Sequence, residues 1–169
     1  MAQYLIANGP MPTTAAQAVV TTGTSIKTML QVKASATTTF KILEWGISFD
    51  GSAAATPIKC ELLETDVAAT VTASATADIV KYDGAALSGG DPVTNLIPVG
   101  TTSTGYTSTA EGSITAVREF DVQLIAPTSQ YIKQYPLGRE PVVQISKFAR
   151  IRVTAAAAVN AYCYLIVEV

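Results

Sequence analysis

The sequence predicts an all-β protein, a single antiparallel β-sandwich of about eight strands with at most one short helix. Three observations point there. Apolar residues recur at every second position in segment after segment, which is the period of a half-buried strand. Turn-forming clusters separate those segments, at Asp50-Gly51-Ser52 and from Pro136 to Pro141. The one helical-looking run, Ala155 to Ala158, is about one turn long and is bracketed by β-branched Val153, Thr154 and Val159.

Taken in chain order, Ser25 to Lys33 is the first firm strand, with Ile26, Leu30 and Val32 set against Lys27, Gln31 and Lys33. Thr38 to Phe49 follows. Its bulky residues are Phe40, Ile42, Trp45, Ile47 and Phe49, and the alternation slips between Ile42 and Trp45, as a bulge near Gly46 would make it do. Pro57 to Leu62 places Ile58, Cys60 and Leu62 on one side. In the next stretch, TDVAATVTAS reads as a strand or a loose connection, and ATADIVKYD is the helix candidate, with Asp78 in its first turn. The residues from Gly84 to Ser113 are Gly-, Ser- and Thr-rich and read as a loop.

Strand pattern resumes from Ile114 to Ile125, where Phe120, Val122 and Leu124 alternate with Glu119, Asp121 and Gln123. Tyr131 to Tyr135, Val142-Val143, Phe148 to Thr154 and Ala161 to Val169 complete the set. TAAAAVN reads as a hairpin joining the last two strands antiparallel. The expected core is Ile26, Leu30, Phe40, Ile42, Trp45, Ile47, Leu62, Phe120, Val122, Leu124, Ile151, Val153, Cys163 and Leu165. A jelly roll fits this pattern best. An immunoglobulin-like sandwich is second, because the long middle loop and the lack of a Cys-Trp-Cys spacing count against it.

Composition narrows the function classes. The net charge is −2 and charged residues are 14%, with the basic ones scattered, so the footprint that nucleic acid demands is missing. No run of eighteen apolar residues predicts a membrane span. The start lacks the pattern of a secretory leader, so folding is expected in the compartment of synthesis. Few charges and many small residues suit burial against other subunits, and a homotrimer is the expected assembly.

Chemistry finds little to stand on. There is no histidine, so the Ser-His-Asp and Cys-His arrangements are absent and no catalytic residue is assigned. Cys60 and Cys163 read as small buried hydrophobes; without histidine they make no zinc set, and no cofactor or metal is expected. Glu44 beside Trp45 is the one glycan-like pair, with Glu61 and Glu64 nearby, but a solvent-facing Glu beside a core Trp explains it as well. DGAALSGGD is a weak cation-loop pattern that turn chemistry accounts for. Arg150 and Arg152 share a strand face and read as a solvated or interface-facing pair.

The N-terminus reads as an extended arm over residues 1–16, ahead of a sandwich domain at 17–169. Pro10 and Pro12 remove backbone donors and Gly9 loosens the chain. Tyr4, Leu5 and Ile6 are its apolar anchors and the expected docking residues for a neighbouring subunit.

The segments FKILEWGISFDGSAAATPIKCELLETD, TSTGYTSTAEGS and QYPLGREPVVQISKFARIRVTAAAAVNAYCYLIVEV resemble a family of small structural proteins of tailed bacteriophages, over most of residues 20–169. The nearest functional class is that of the jelly-roll decoration, or cement, proteins. The resemblance implies a virion protein on the capsid surface, made in the host cytoplasm. It implies a trimer that bridges subunits of the major capsid protein, with no active site to carry over. A tail, baseplate or head-fibre component is the alternative, and a carbohydrate-binding module on Trp45 and Glu44 is a third reading.

Overall fold

A computed structural model describes residues 2–52, 56–83 and 96–169. Two antiparallel sheets pack face to face as a β-sandwich. Sheet A holds seven strands: β1 (Gln3–Ala7), β2 (Val20–Thr21), β4 (Phe40–Phe49), β7 (Ile79–Lys81), β10 (Gln130–Gln134), β11 (Val142–Val143) and β13 (Asn160–Glu168). Sheet B holds six: β3 (Ile26–Lys33), β5 (Ile58–Thr65), β6 (Thr70–Ala73), β8 (Gly105–Ala110), β9 (Val117–Ile125) and β12 (Phe148–Thr154). The spatial order is β10-β4-β13-β1-β7 in sheet A and β6-β8-β3-β12-β5-β9 in sheet B.

The longest strands form where the alternation is strongest. Leu30, Ile42, Trp45, Leu62, Ile151, Val153, Cys163 and Leu165 are all buried between the sheets, as their spacing predicts. The slip in β4 is a bulge: Ile42 lies opposite Val167 and Glu44 opposite Ile166, leaving Leu43 as the extra residue. Cys60 and Cys163 are free thiols in this core, and burial pushes the Cys60 thiol up to about 12.

Several expectations are corrected. The helix candidate is a single 3₁₀ turn, Thr76–Asp78, followed at once by β7. Strand β8 lies in the stretch read as loop, while residues 84–95, with most of DGAALSGGD, lie outside the described residues. The last two strands do not pair. β12 lies between β3 and β5 in sheet B, and β13 between β4 and β1 in sheet A. TAAAAVN therefore carries the chain from one sheet to the other; Ala155 is buried at the crossing and the next three alanines are exposed.

In β9 the predicted faces are exchanged. Asp121 and Ile125 are buried, Leu124 is 74% exposed, and Phe120 and Val122 are half-buried. A register shift opposite Leu62 and Leu63 leaves Phe120 as the extra residue and sets the phase of the strand. The physical reason is Trp45. Its indole N–H is buried and needs an acceptor, and Asp121 supplies one at 3.2 Å. Ile26 is likewise exposed, at the outer end of β3.

The largest correction concerns the N-terminus. Residues 3–7 are not a free arm. They form β1, hydrogen-bonded to β13 on one side and β7 on the other. Tyr4 and Ile6 are each 1% exposed in the chain's own core. The pairing runs to the chain ends, where Ala2 N–H donates to the Val169 carbonyl at 3.1 Å and Val169 N–H returns the bond at 3.0 Å. Asn8 then closes β1 by bonding the backbone of Ala161 and Cys163. Five residues suffice because an interior strand has both rows of backbone groups satisfied.

Two substitutions separate strand from arm. Ile6→Ala should cost about 2–5 kcal/mol, as a buried aliphatic truncation does, and Leu5→Ala clearly less. Deleting residues 2–8 should leave the chain unfolded by circular dichroism; a truncated protein that melts like the full chain would restore the arm.

Candidate functional site

The two sheets treat their outer faces differently. On sheet B, the outward residues of the central strands are roofed by the chain's own loops. Thr28, Gln31 and Arg150 are all 0% exposed. Gln31 accepts from Ala69 N–H at 2.8 Å and donates to the Ser103 carbonyl at 2.6 Å. Arg150 donates to the Glu111 carbonyl at 3.0 Å, to the Glu111 carboxylate at 3.3 Å, and to the Val67 carbonyl. Glu111 in turn accepts from the Thr28 N–H and hydroxyl and from the Ser108 hydroxyl, each at 2.6 Å. A buried guanidinium is tolerable only when paired and hydrogen-bonded, and here the loops supply the partners. The expected solvated pair is thereby corrected: Arg150 is interior, and Arg152 pairs with Glu61 at 2.8 Å.

Among the described residues, nothing roofs the central strands of sheet A in this way. Its outward residues include Leu5 on β1, Val80 on β7, Ile132 on β10, and Tyr162, Tyr164 and Ile166 on β13. Ile132 is 54% exposed and the others half-buried. Tyr164 lies flat across Gly46: a Cβ there would stand 2.6 Å from its ring, so this position takes only glycine. Its hydroxyl donates to Glu44 at 2.5 Å, and Gln134 donates to the other Glu44 oxygen, also at 2.5 Å. That ties β13, β4 and β10 together across the face.

Two grooves indent it. One, of about 390 Å³, has Glu44, Glu140 and Glu168 on its walls with Tyr82, Leu137 and Ile166. The other, of about 460 Å³, is mostly apolar and lies between the segment after β1 and the sheet, where Leu5, Met11, Pro12, Val19 and Tyr162 meet.

The residues singled out from sequence fall apart accordingly. Tyr4 and Ile6 are core, which removes them as docking residues, and Leu5 alone faces outward. Trp45 is 0% exposed, its ring 5.2 Å from that of Tyr131, so it offers no platform to a sugar. Glu44 is on the opposite face of β4 from Trp45. Glu61 and Glu64 are held in ion pairs with Arg152 and Arg118. Among the described residues no group of three metal-ligating side chains comes together. Comparison of the chain with protein-family models, with curated proteins and with solved structures finds no match.

Asp121 is a heavily engaged carboxylate at the sheet edge. Besides Trp45, it accepts from Tyr131 and Gln123, each at 2.9 Å, and pairs with Lys133 at 3.3 Å. Burial pushes its carboxyl up, but the Gln123 and Tyr131 hydrogen bonds and the Lys133 charge outweigh that and hold it below the ordinary value. The same contact raises the Tyr131 phenol to about 12, after burial. A carboxylate depressed in the folded state stabilises above its unfolded value and loses that contribution as pH falls through the folded one. Urea midpoints should therefore drop below about pH 4. Asp121→Asn should flatten that acid limb and cost about 1–3 kcal/mol at neutral pH. An unchanged limb would show that Asp121 is not tuned by its neighbours.

Proposed function

We propose that this protein is a structural component of a bacteriophage virion, a capsid decoration protein that attaches to the major capsid protein through the outer face of sheet A. One observation carries the reading: a tyrosine- and aliphatic-rich sheet face that the described residues leave open, on a sandwich whose other face is roofed over its central strands by its own loops. Tyrosine and aliphatic side chains on a rigid sheet bury much area at little entropic cost, which is what a clamp between capsid subunits needs. The resemblance of FKILEWGISF and the C-terminal segments to phage structural proteins supports the same reading. Self-association as a homotrimer belongs to it, from the scarcity of charge. The glycan-binding reading loses its support, since Trp45 is buried.

The test is attachment. Purified protein added to undecorated heads should bind in hundreds of copies per particle, counted by quantitative mass spectrometry. Ile132→Asp and Tyr82→Asp should lower occupancy at least tenfold without changing the melting temperature. A handful of copies per particle would assign the protein to the tail or a head fibre. Full occupancy by both variants would move the contact off this face.

A further inference from the structure

On the outer face of sheet A, the chain carries both halves of a contact with itself. The loop that bulges out between β10 and β11, both paired along β4, ends in a tight turn, Pro136-Leu137-Gly138-Arg139. Arg139 N–H donates to the Pro136 carbonyl at 2.9 Å, and Gly138 has φ +83°, the geometry of a type II turn. Its stem is pinned on β4, by Tyr135 N–H to the Leu43 carbonyl and Ile42 N–H to the Pro141 carbonyl, both 2.9 Å. This stiff tip holds Leu137 96% exposed, the most exposed large apolar side chain among the described residues. The apolar groove lined by Leu5, Met11, Pro12, Val19 and Tyr162 is about 460 Å³, ample for a leucine. Gln17 also lines it, and its side-chain nitrogen is buried with no hydrogen-bond partner. Turning that amide outward would give it an acceptor among the carbonyls of an inserted turn.

Knob and groove sit at opposite ends of the face. The groove is beside Tyr162 and the turn beside Glu168, six residues along β13, or about 20 Å. One molecule cannot satisfy its own groove across that span. A second copy can, and the contact is then head to tail, which gives a ring where the rotation between copies closes and an open filament where it does not.

We propose that Leu137 of one copy inserts into this apolar groove of the next, and that the repeated contact closes a cyclic oligomer. Its size, three copies, rests on the decoration reading; the contact itself does not. Met11 and Pro12, from the segment read as a free arm, then serve with Val19 as the receiving wall.

The experiment is sedimentation of purified protein at tens of micromolar, with two variants. Leu137→Asp removes the knob and Val19→Glu blocks the groove; each should sediment as a monomer with an unchanged circular dichroism spectrum and melting temperature. Mixed in equal amounts, they should form a one-to-one dimer, because the first retains its groove and the second its knob. Leu137→Met should keep the wild-type mass. A monomeric wild type, variants that retain the wild-type mass, or a mixture that forms no dimer would each overturn the contact. Attachment to heads is measured separately, so the knob can fail while decoration stands, and decoration can fail while the ring forms.

Discussion

A buried guanidinium sets the character of this molecule. Arg150 is in the middle of β12, on the face turned away from the other sheet, yet it is wholly removed from solvent. Leaving such a charge without partners would cost several kcal/mol. The loops after β5 and β8 meet that demand with the carbonyls of Val67 and Glu111 and with the Glu111 carboxylate. Because Glu111 also takes the Thr28 N–H, the loops are bonded to two neighbouring strands of sheet B. The outer face of sheet B over its central strands is thereby covered by the chain itself. Among the described residues, sheet A has no buried charge on its outer face and its central strands stay open.

The joining of the chain ends is the second constraint. β1 closes against β13 and brings β7 with it, so residues near the start of the chain complete the core that the last strand begins. This also places Met11, Pro12 and Val19 against the outer face of sheet A, because Asn8 and Asp78 fix the chain as it leaves β1. Pro12, which reads as a mark of a flexible arm, instead lines a groove.

Much of the fold was legible. Strands with regular alternation, β4, β5, β12 and β13, and β3 apart from Ile26 at its outer end, came out with their buried faces correct, and the β4 bulge showed as a slip of phase. What failed did so for identifiable reasons. β1 is only five residues long, too short for periodicity to register, and its stability comes from two neighbouring strands. β9 is an edge strand, where apolar residues can face outward at small cost, so the need of Trp45 for an acceptor decided its phase over the apolar count. The destination of β12 and β13 depended on which sheet each entered, which local pattern does not encode. The outer faces were least legible of all. Arg150 and Arg152 alternate alike along one strand, and only the loops folded over Arg150 distinguish them.

If the outer face of sheet A is the surface through which this protein meets a phage head, its exposed tyrosine must be covered on the particle. Tyr82, 50% exposed in the acidic groove of that face, is its natural reporter. Tyrosine nitration, read by peptide mass spectrometry, should be compared between free protein and protein on intact heads. The account predicts that Tyr82 is nitrated readily in free protein and at least tenfold less on the particle, while Tyr106, half-buried on β8 of sheet B, reacts equally in both. Equal nitration of Tyr82 in the two states, with protection appearing at Tyr106, would contradict it.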